Sequence, residues 1–512
     1  MRILGWRKIA LVLILSILIN SFSFGMITQK ESQDNEVVQE NNQIKPQIKN
    51  PVTSIGKYEI TSEEFGDQRY FWSLNLGTGM YEQIRATLLA VGEKCYIYMA
   101  NETITTKGQY LAISTCNYYQ EEFDDVIYDK NVALMGHPDG ILGDIDGDPK
   151  ITILIAPLGG AGGLYLQKDE IAGSSYSNNR EMVYIDSGFG KTVGGLKTLM
   201  HEFNHLIWFN YDLNEGHFLL EGAAEYSVCY GNYLSSTTNQ PGINLTWHTN
   251  SFKTSHQKSL LSFHETNNFP DSADYGKAYL FMLYMIEQLG IDFVKILVEE
   301  ELDGPLGIDA ALNATGFELE FNDLFMNWIT AVTIDRIVNG NDMYQIKSAN
   351  FVVEPDVVIA SYPNSKYNCK HYPYGFHVKR LLHPPDNFTF LMSNPQPTYA
   401  LGVTIAINDQ EGWKIEKGKY VQENELVGIH VSGKNISEAY IVTSIISEET
   451  PTTFRDFIEV GYETYLTLDY SIEEGHIPLT ITEIAGIVPY KMIILLSSSL
   501  LLVTWHVKRS KK

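Results

Sequence analysis

Apolar residues at Leu196, Leu199, Met200, Phe203, Leu206 and Ile207 recur every three or four positions, which predicts a helix with one buried face. Residues 219–226 are rich in helix formers and predict a second helix close behind, and helical patterns dominate from about 192 to 340. Elsewhere the period is two. Short alternating runs at 95–99 and 110–114 predict a small β-rich unit over 56–125. Apolar runs at 151–155 and 181–185 predict buried strands leading into the first helix. From about 350 to 475 the pattern is β again, with strands expected at 351–353, 401–407, 438–442 and 465–468 between turn residues, as in a sandwich. The expected fold class is therefore α+β. A central domain at 126–345, with a mixed sheet and a mainly helical second half, is flanked by β-rich domains at 56–125 and 346–477.

Both ends of the chain carry membrane signals. Arg2, Arg7 and Lys8 precede an apolar run at 9–19, and Ser21, Ser23 and Gly25 follow, as in a secretory signal peptide over 1–25. Residues 26–55 are rich in Gln, Asn, Glu and Lys without a period, the composition of a flexible linker. Residues 26–125 are expected to be either a propeptide or a permanent part of the protein. At the far end 492–505 is free of charge, and Lys508, Arg509, Lys511 and Lys512 follow. Extended to 484–507, with Lys491 snorkelling to the interface, this run suits a transmembrane helix or a sorting tail. The basic tail at 508–512 suits the cytoplasmic side. The body is then expected at the cell surface, held by a single C-terminal span, or secreted. Triplets of the N-x-S/T type at Asn101, Asn244, Asn313, Asn387 and Asn435 agree with export.

Charge narrows the partners. Against 37 basic residues stand 62 acidic ones, a net charge of −25, which excludes a nucleic-acid binder built on clustered Lys and Arg. With 44% apolar residues in 512, the chain has material for more than one core and is not wholly disordered. Four cysteines exclude a disulfide-built scaffold, although Cys95 and Cys116 lie in one expected unit and are candidates to pair.

The first predicted helix carries H-E-x-x-H at His201, Glu202 and His205. Four residues are about one turn, so the two imidazoles share a face and can share one metal ion, with Glu202 beside a water held there. Chance alone gives about 0.02 such patterns in a chain of this composition. Glu221 and Glu225 lie one turn apart on the second predicted helix. A carboxylate from that helix completes a His2Glu set. Glu221 is preferred for this role over Glu215, which sits in a turn-like stretch. Glu225 is then placed to bond the outer nitrogen of a liganding His and fix its tautomer.

H-E-F-N-H at 201–205 followed by L-E-G-A-A-E-Y at 220–226 resembles the gluzincin zinc metallopeptidases. The closer resemblance is to the secreted hyicolysin-like and immune-inhibitor-A-like peptidases. Supporting stretches are 144–148, 177–186 and 274–284; the likeness covers about 126–300 and is strong only at the metal motif. It implies a zincin-type catalytic domain in which His201, His205 and Glu221 bind Zn²⁺, Glu202 is the general base and proton shuttle, and Glu225 supports a ligand. Tyr275, in Asp274-Tyr-Gly-Lys277, is similar to the tyrosine that gluzincin aminopeptidases use to stabilise the oxyanion. Here Gly and Lys stand in the reverse order, and the 15 residues between His205 and Glu221 are fewer than usual in those aminopeptidases. His248, His256 and His264 are further candidates for the oxyanion role.

The function expected is a membrane-anchored, extracytoplasmic zinc endopeptidase acting on peptide or protein substrates. A catalytically silent surface or adhesion protein on the same scaffold, and a zinc aminopeptidase, are the alternatives. The strand at 181–185 is expected to be the sheet edge beside the metal helix, able to hold an extended peptide by main-chain bonds. The chain lacks the G-x-M-E-N element with which aminopeptidases grip a free amino terminus, which favours an endopeptidase. The glycine run at 159–163 is an ordinary connection or a loop over the cleft, and without G-K-[ST] it is no phosphate loop. Asp144, Asp146 and Asp148 form half of a calcium loop without a bidentate acid in register, so Ca²⁺ and a plain acidic turn both stay open.

Overall fold

The computed structural model describes residues 63–233, 246–266, 269–393, 399–416, 426–447, 449–451, 455–459 and 465–475. The expected signal peptide, linker, C-terminal apolar segment and basic tail lie outside these residues, as does Asn244. Among the described residues, no helix is long and apolar enough to cross a membrane.

The chain is a mixed α+β protein. Strands β1 (Gln68–Asn75), β2 (Met80–Val91), β3 (Cys95–Ala100), β4 (Ile151–Ala156), β5 (Gly163–Tyr165) and β6 (Met182–Asp186) form one sheet in the order β1-β2-β3-β4-β6-β5. The β3-β4-β6 pairs are parallel. β3 and β4 are buried throughout, as is β6 apart from its last residue, which is why their sequences run apolar without alternating. Two expectations change here. Residues 68–100, expected within a separate β-rich domain, supply half of the strands of this sheet. The strand at 181–185 is not its edge, because β5 pairs antiparallel on its outer side.

The run at 110–114 is helical, not extended. It lies in helix α2 (Gln109–Glu122), between α1 (Asn101–Lys107) and α3 (Tyr128–Met135). The residues α2 buries are Ala112, Thr115, Cys116 and Tyr119, a three-four spacing that short-range alternation concealed. All four cysteines are free thiols, so Cys95 and Cys116 do not pair.

Helix α4 (Val193–Phe209) starts at Thr192, whose side chain accepts the Gly195 N–H at 3.2 Å. Its apolar face, Leu196, Leu199, Met200, Phe203, Leu206 and Ile207, is buried in the main core. That leaves the opposite face for His201, Glu202 and His205. Helices α5 (His217–Tyr230), α6 (Thr246–Lys253) and α7 (Ser272–Leu289) close around it. Two glycines permit the close approach: a Cβ at Gly222 would stand 2.7 Å from the Ala278 carbonyl oxygen, and one at Gly276 would stand 2.3 Å from that of His248. Helices α8 (Asp292–Val298), α9 (Gly304–Thr315) and α10 (Phe321–Ile334) complete the helical half.

The remaining strands make the expected sandwich. One sheet orders β10 (Asn364–His371), β18 (Leu466–Glu474), β12 (Asn387–Ser393) and β15 (Leu426–Ser432). The other orders β14 (Gly412–Glu416), β13 (Tyr399–Asp409), β16 (Glu438–Ser447), β11 (Phe376–Leu382) and β9 (Val357–Ile359). Phe390, Met392, Val403, Ile405, Ile441, Leu468 and Ile472 fill the space between them. The second sheet also buries Phe376, Val378, Val442 and Ile446 in the same core as Trp328 of α10, so packing is continuous across 345/346. Residues 351–353 are not a strand. Phe351 and Val353 alternate inward because the segment lies along α10, with the Val353 N–H donating to the Val332 carbonyl at 2.8 Å. A third sheet joins β17 (Arg455–Glu459), β7 (Ser262–Thr266) and β8 (Phe269–Pro270), with β17 parallel to β7.

Candidate metal centre

Helix geometry brings the predicted ligands to one point. On α4, His201 Nε2 and His205 Nε2 lie 3.1 Å apart. From α5, Glu221 Oε2 comes within 3.1 Å of the first and 3.6 Å of the second. Tetrahedral zinc with bonds of about 2.05 Å separates its donor atoms by about 3.3 Å. The three observed edges bracket that value. Glu221 Oε2 is buried, and no donor among the described residues is aligned to hydrogen-bond it. Two imidazole nitrogens and a carboxylate oxygen are a donor set that zinc accepts.

The supporting shell is equally specific. Glu225 Oε1 lies 3.5 Å from His201 Nδ1, and its other oxygen lies 3.4 Å from His248 Nδ1. A proton held on His201 Nδ1 toward Glu225 leaves Nε2 with its lone pair free for a cation. Burial opposes charge on Glu225, but His201 and His248 outweigh it and hold the carboxyl at about 2. Glu221 is also held low against its burial, by His205 and His201. Burial likewise disfavours charge on His201, and the two glutamates reverse this and raise its pKa well above the ordinary value.

Glu202 sits beside the donors. Burial raises its pKa, and His201, His205 and a bond from the Tyr165 N–H work the other way. That N–H belongs to β5, so the short edge strand runs against the proposed base. A Cβ at Gly163, the first residue of β5, would stand 2.8 Å from Glu202 Cγ. Sequence reasoning did not find this contact. The glycine run at 159–163 was its trace, since only an absent side chain lets β5 lie so close to α4.

Tyr275 is at the site, its ring 6.4 Å from the His201 ring and stacked on His248 at 5.1 Å. Burial and the nearby Glu221, Glu225 and Glu202 push its hydroxyl well above the ordinary tyrosine value, so it stays a proton donor. Among the further histidines only His248 is here. His264 is buried against Asp274, at 3.1 Å. His256 is buried with its Nε2 3.3 Å from Asp356. Glu215 stands apart from the donors, its Oε1 accepting the Gly304 N–H at 2.8 Å.

The three aspartates separate. Asp144 and Asp146 gather with Glu181, a carboxylate oxygen of each lying within 4.8 Å of the others. Asp148 is turned away, its oxygens accepting from the Tyr96 hydroxyl at 2.9 Å and the Lys150 N–H at 3.2 Å. Burial pushes Glu181 up to about 7, with Asp146 and Asp144 adding to it and the Ile145 N–H opposing.

No family model matches the chain, and no curated protein matches it. Among solved structures, one match is a family GH115 4-O-methyl-alpha-glucuronidase with specificity for decorated arabinogalactans. That match has 8% sequence identity and a TM-score of 0.14, and covers 58% of this chain and 46% of the other. So slight a likeness carries no argument about fold or chemistry.

Proposed function

We propose that the chain is a metal-dependent hydrolase with a zincin-type catalytic half, holding zinc at His201, His205 and Glu221. More narrowly, it is an endopeptidase of the gluzincin pattern. The observation that carries this reading is the convergence of three donor atoms at 3.1–3.6 Å with a half-buried carboxylate, Glu202, alongside them. Zinc bound there supplies a Lewis acid that polarises a carbonyl and brings the pKa of water to about 7.

The chain's own residues do the rest. Glu202 takes a proton from water as the new C–O bond forms at the peptide carbonyl carbon. It then gives that proton to the departing nitrogen as the C–N bond breaks, so one water is consumed and an acid and an amine result. The Tyr275 hydroxyl donates to the oxygen on which negative charge develops. Glu225 fixes the His201 ring. The β5 edge beside Glu202 suits an extended backbone, which gives grip with loose sequence preference. The N-terminal signal and the C-terminal apolar segment support an exported body tethered at the cell surface.

The test is zinc content per chain together with casein cleavage, with and without chelator. Wild type should carry one zinc and cleave casein; His201→Ala should lose both. Full zinc in His201→Ala would remove the basis of the reading, and a zinc-loaded wild type without cleavage would favour the silent scaffold. Cleavage of free-amino peptides but not of blocked ones would reverse the choice of endopeptidase.

A further inference from the structure

The turn at 144–148 is built to present carboxylates. Asp144 Oδ1 accepts the Gly147 N–H at 2.6 Å, and Asp146 Oδ1 accepts the Asp148 N–H at 2.9 Å. Each aspartate thus spends one oxygen on shaping the turn; the second oxygen of Asp146 lies 3.3 Å from Arg180. Gly147 has φ +80°, which lets the chain reverse there. Glu181, on the approach to β6, enters this turn from outside. One of its oxygens takes the Ile145 N–H at 2.7 Å, between the two aspartates. The residue is only 3% exposed, and its other oxygen has no hydrogen-bond partner among the described residues. Such a buried, unpartnered carboxylate oxygen costs free energy unless something positive meets it.

The nearest fixed charge is insufficient. Arg180 reaches Asp146 Oδ2 at 3.3 Å, but it also serves Glu63 at 2.9 Å and bonds the Thr152 hydroxyl at 2.9 Å. One guanidinium is shared between Asp146 and Glu63, and among the described residues no cation pairs with Asp144 or Glu181. An all-oxygen donor set of this charge is the kind that hard divalent cations take, and neither nitrogen nor sulfur donors are present to favour zinc.

We propose that Asp144, Asp146 and Glu181 form a second metal site, for Ca²⁺, separate from the zinc donors. Asp148 is not a ligand. Water and backbone oxygens complete the six to eight contacts that calcium takes. The consequence is mechanical. The cation ties the turn before β4 to the start of β6, the strand that pairs with β5 and leads into the metal helix.

Calcium binding is tested on the full chain loaded with zinc, by titration with Ca²⁺ alone and with Mg²⁺ alone, followed by calorimetry and thermal unfolding. One Ca²⁺ per chain should bind, with an affinity of about 10⁻³–10⁻⁴ M as in extracellular modules, and should raise the unfolding temperature. Mg²⁺, which is reluctant to shed its waters, should bind more weakly. Glu181→Gln keeps an acceptor for the Ile145 N–H but removes the charge. It should weaken Ca²⁺ by at least about tenfold and cancel the thermal shift, while zinc content and calcium-free stability hold. Asp144→Asn, at the half-exposed rim, provides the same loss where the buried variant fails to fold. Wild type that neither binds Ca²⁺ nor gains stability from it would overturn the site, as would unchanged affinity in both variants. Because zinc is counted separately, failure here and failure of the peptidase reading are distinguishable.

Discussion

Replacing Gly163 with alanine would press on Glu202 without touching a metal donor. The added methyl would stand 2.4 Å from Thr198 Cγ2, 2.8 Å from Glu202 Cγ and 3.0 Å from Glu202 Oε1. Carbon atoms rest at about 3.5–4.0 Å, so Glu202 must retreat by about 0.7 Å or more. Thr198 yields little, because its hydroxyl donates to the Gly194 carbonyl at 3.1 Å and rotation would break that bond. A reacting group misplaced by about 1 Å costs about 10²-fold in rate, or about 3 kcal/mol in the barrier. The overpacking itself should cost about 1–3 kcal/mol of stability. Zinc per chain and kcat/KM on a quenched internal peptide, measured on the same preparation, separate the two effects. The expected result is full zinc with a rate about a hundredfold lower. Gly162→Ala is the control. The nearest neighbours of its methyl are the Phe189 ring edge at 3.1 Å and Thr198 Oγ1 at 3.5 Å, not Glu202, and it should leave the rate nearly unchanged. A Gly163→Ala enzyme with full zinc and wild-type rate would show that the Glu202 carboxylate, where it stands, is not the proton acceptor. Loss of zinc would show instead that the donors and the base are not separable in this way.

Three further outcomes are expected. Glu225→Gln weakens the acceptor opposite His201 Nδ1, so zinc affinity should fall about 10–100-fold by competitive chelation, with activity partly restored at high zinc. Tyr275→Phe should keep its zinc and lose about 10²–10³ in kcat if the hydroxyl meets the developing charge; a change in KM alone would assign it to binding. Asp274 is buried, which disfavours its charge, but Lys277 and His264 more than offset this and hold its pKa at about 2 against an ordinary 3.8. Its contribution of about 2 kcal/mol is therefore complete above pH 4 and lost as pH falls through 2, visible as an acid limb in urea unfolding that Asp274→Asn should flatten. That variant also removes the carboxylate beside buried Lys277 and should cost about 3 kcal/mol at neutral pH.

The convergence of His201, His205 and Glu221 was legible because a helix converts spacing into direction. His201 with His205, and Glu221 with Glu225, are each one turn apart, and the apolar residues around them mark which face is buried. The sandwich was legible from turn residues between alternating runs. Pairing was not. The alternating run at 95–99 identifies a strand but not its neighbours, so β1 to β3 were assigned to a separate domain although β3 lies beside β4. The grouping of Glu181 with Asp144 and Asp146 was overlooked because Glu181 opens an apolar strand 35 positions after Asp146, and nothing local links the two. The true edge strand was missed because three residues are too few to show a period. Gly163, Gly222 and Gly276 matter through side chains they do not have, and a missing atom leaves no trace in a hydrophobicity pattern.

The parallel pairing of β17 with β7 has a cost in time. All of the chain from 267 to 459 must leave the ribosome before Arg455–Glu459 can reach Ser262–Thr266, and until then β7 exposes an open row of backbone groups. A fragment trimmed to 126–345 would carry that vulnerability permanently and would also lack β1 to β3, so its insolubility on expression would reflect missing strands rather than a disturbed His201–His205–Glu221 cluster.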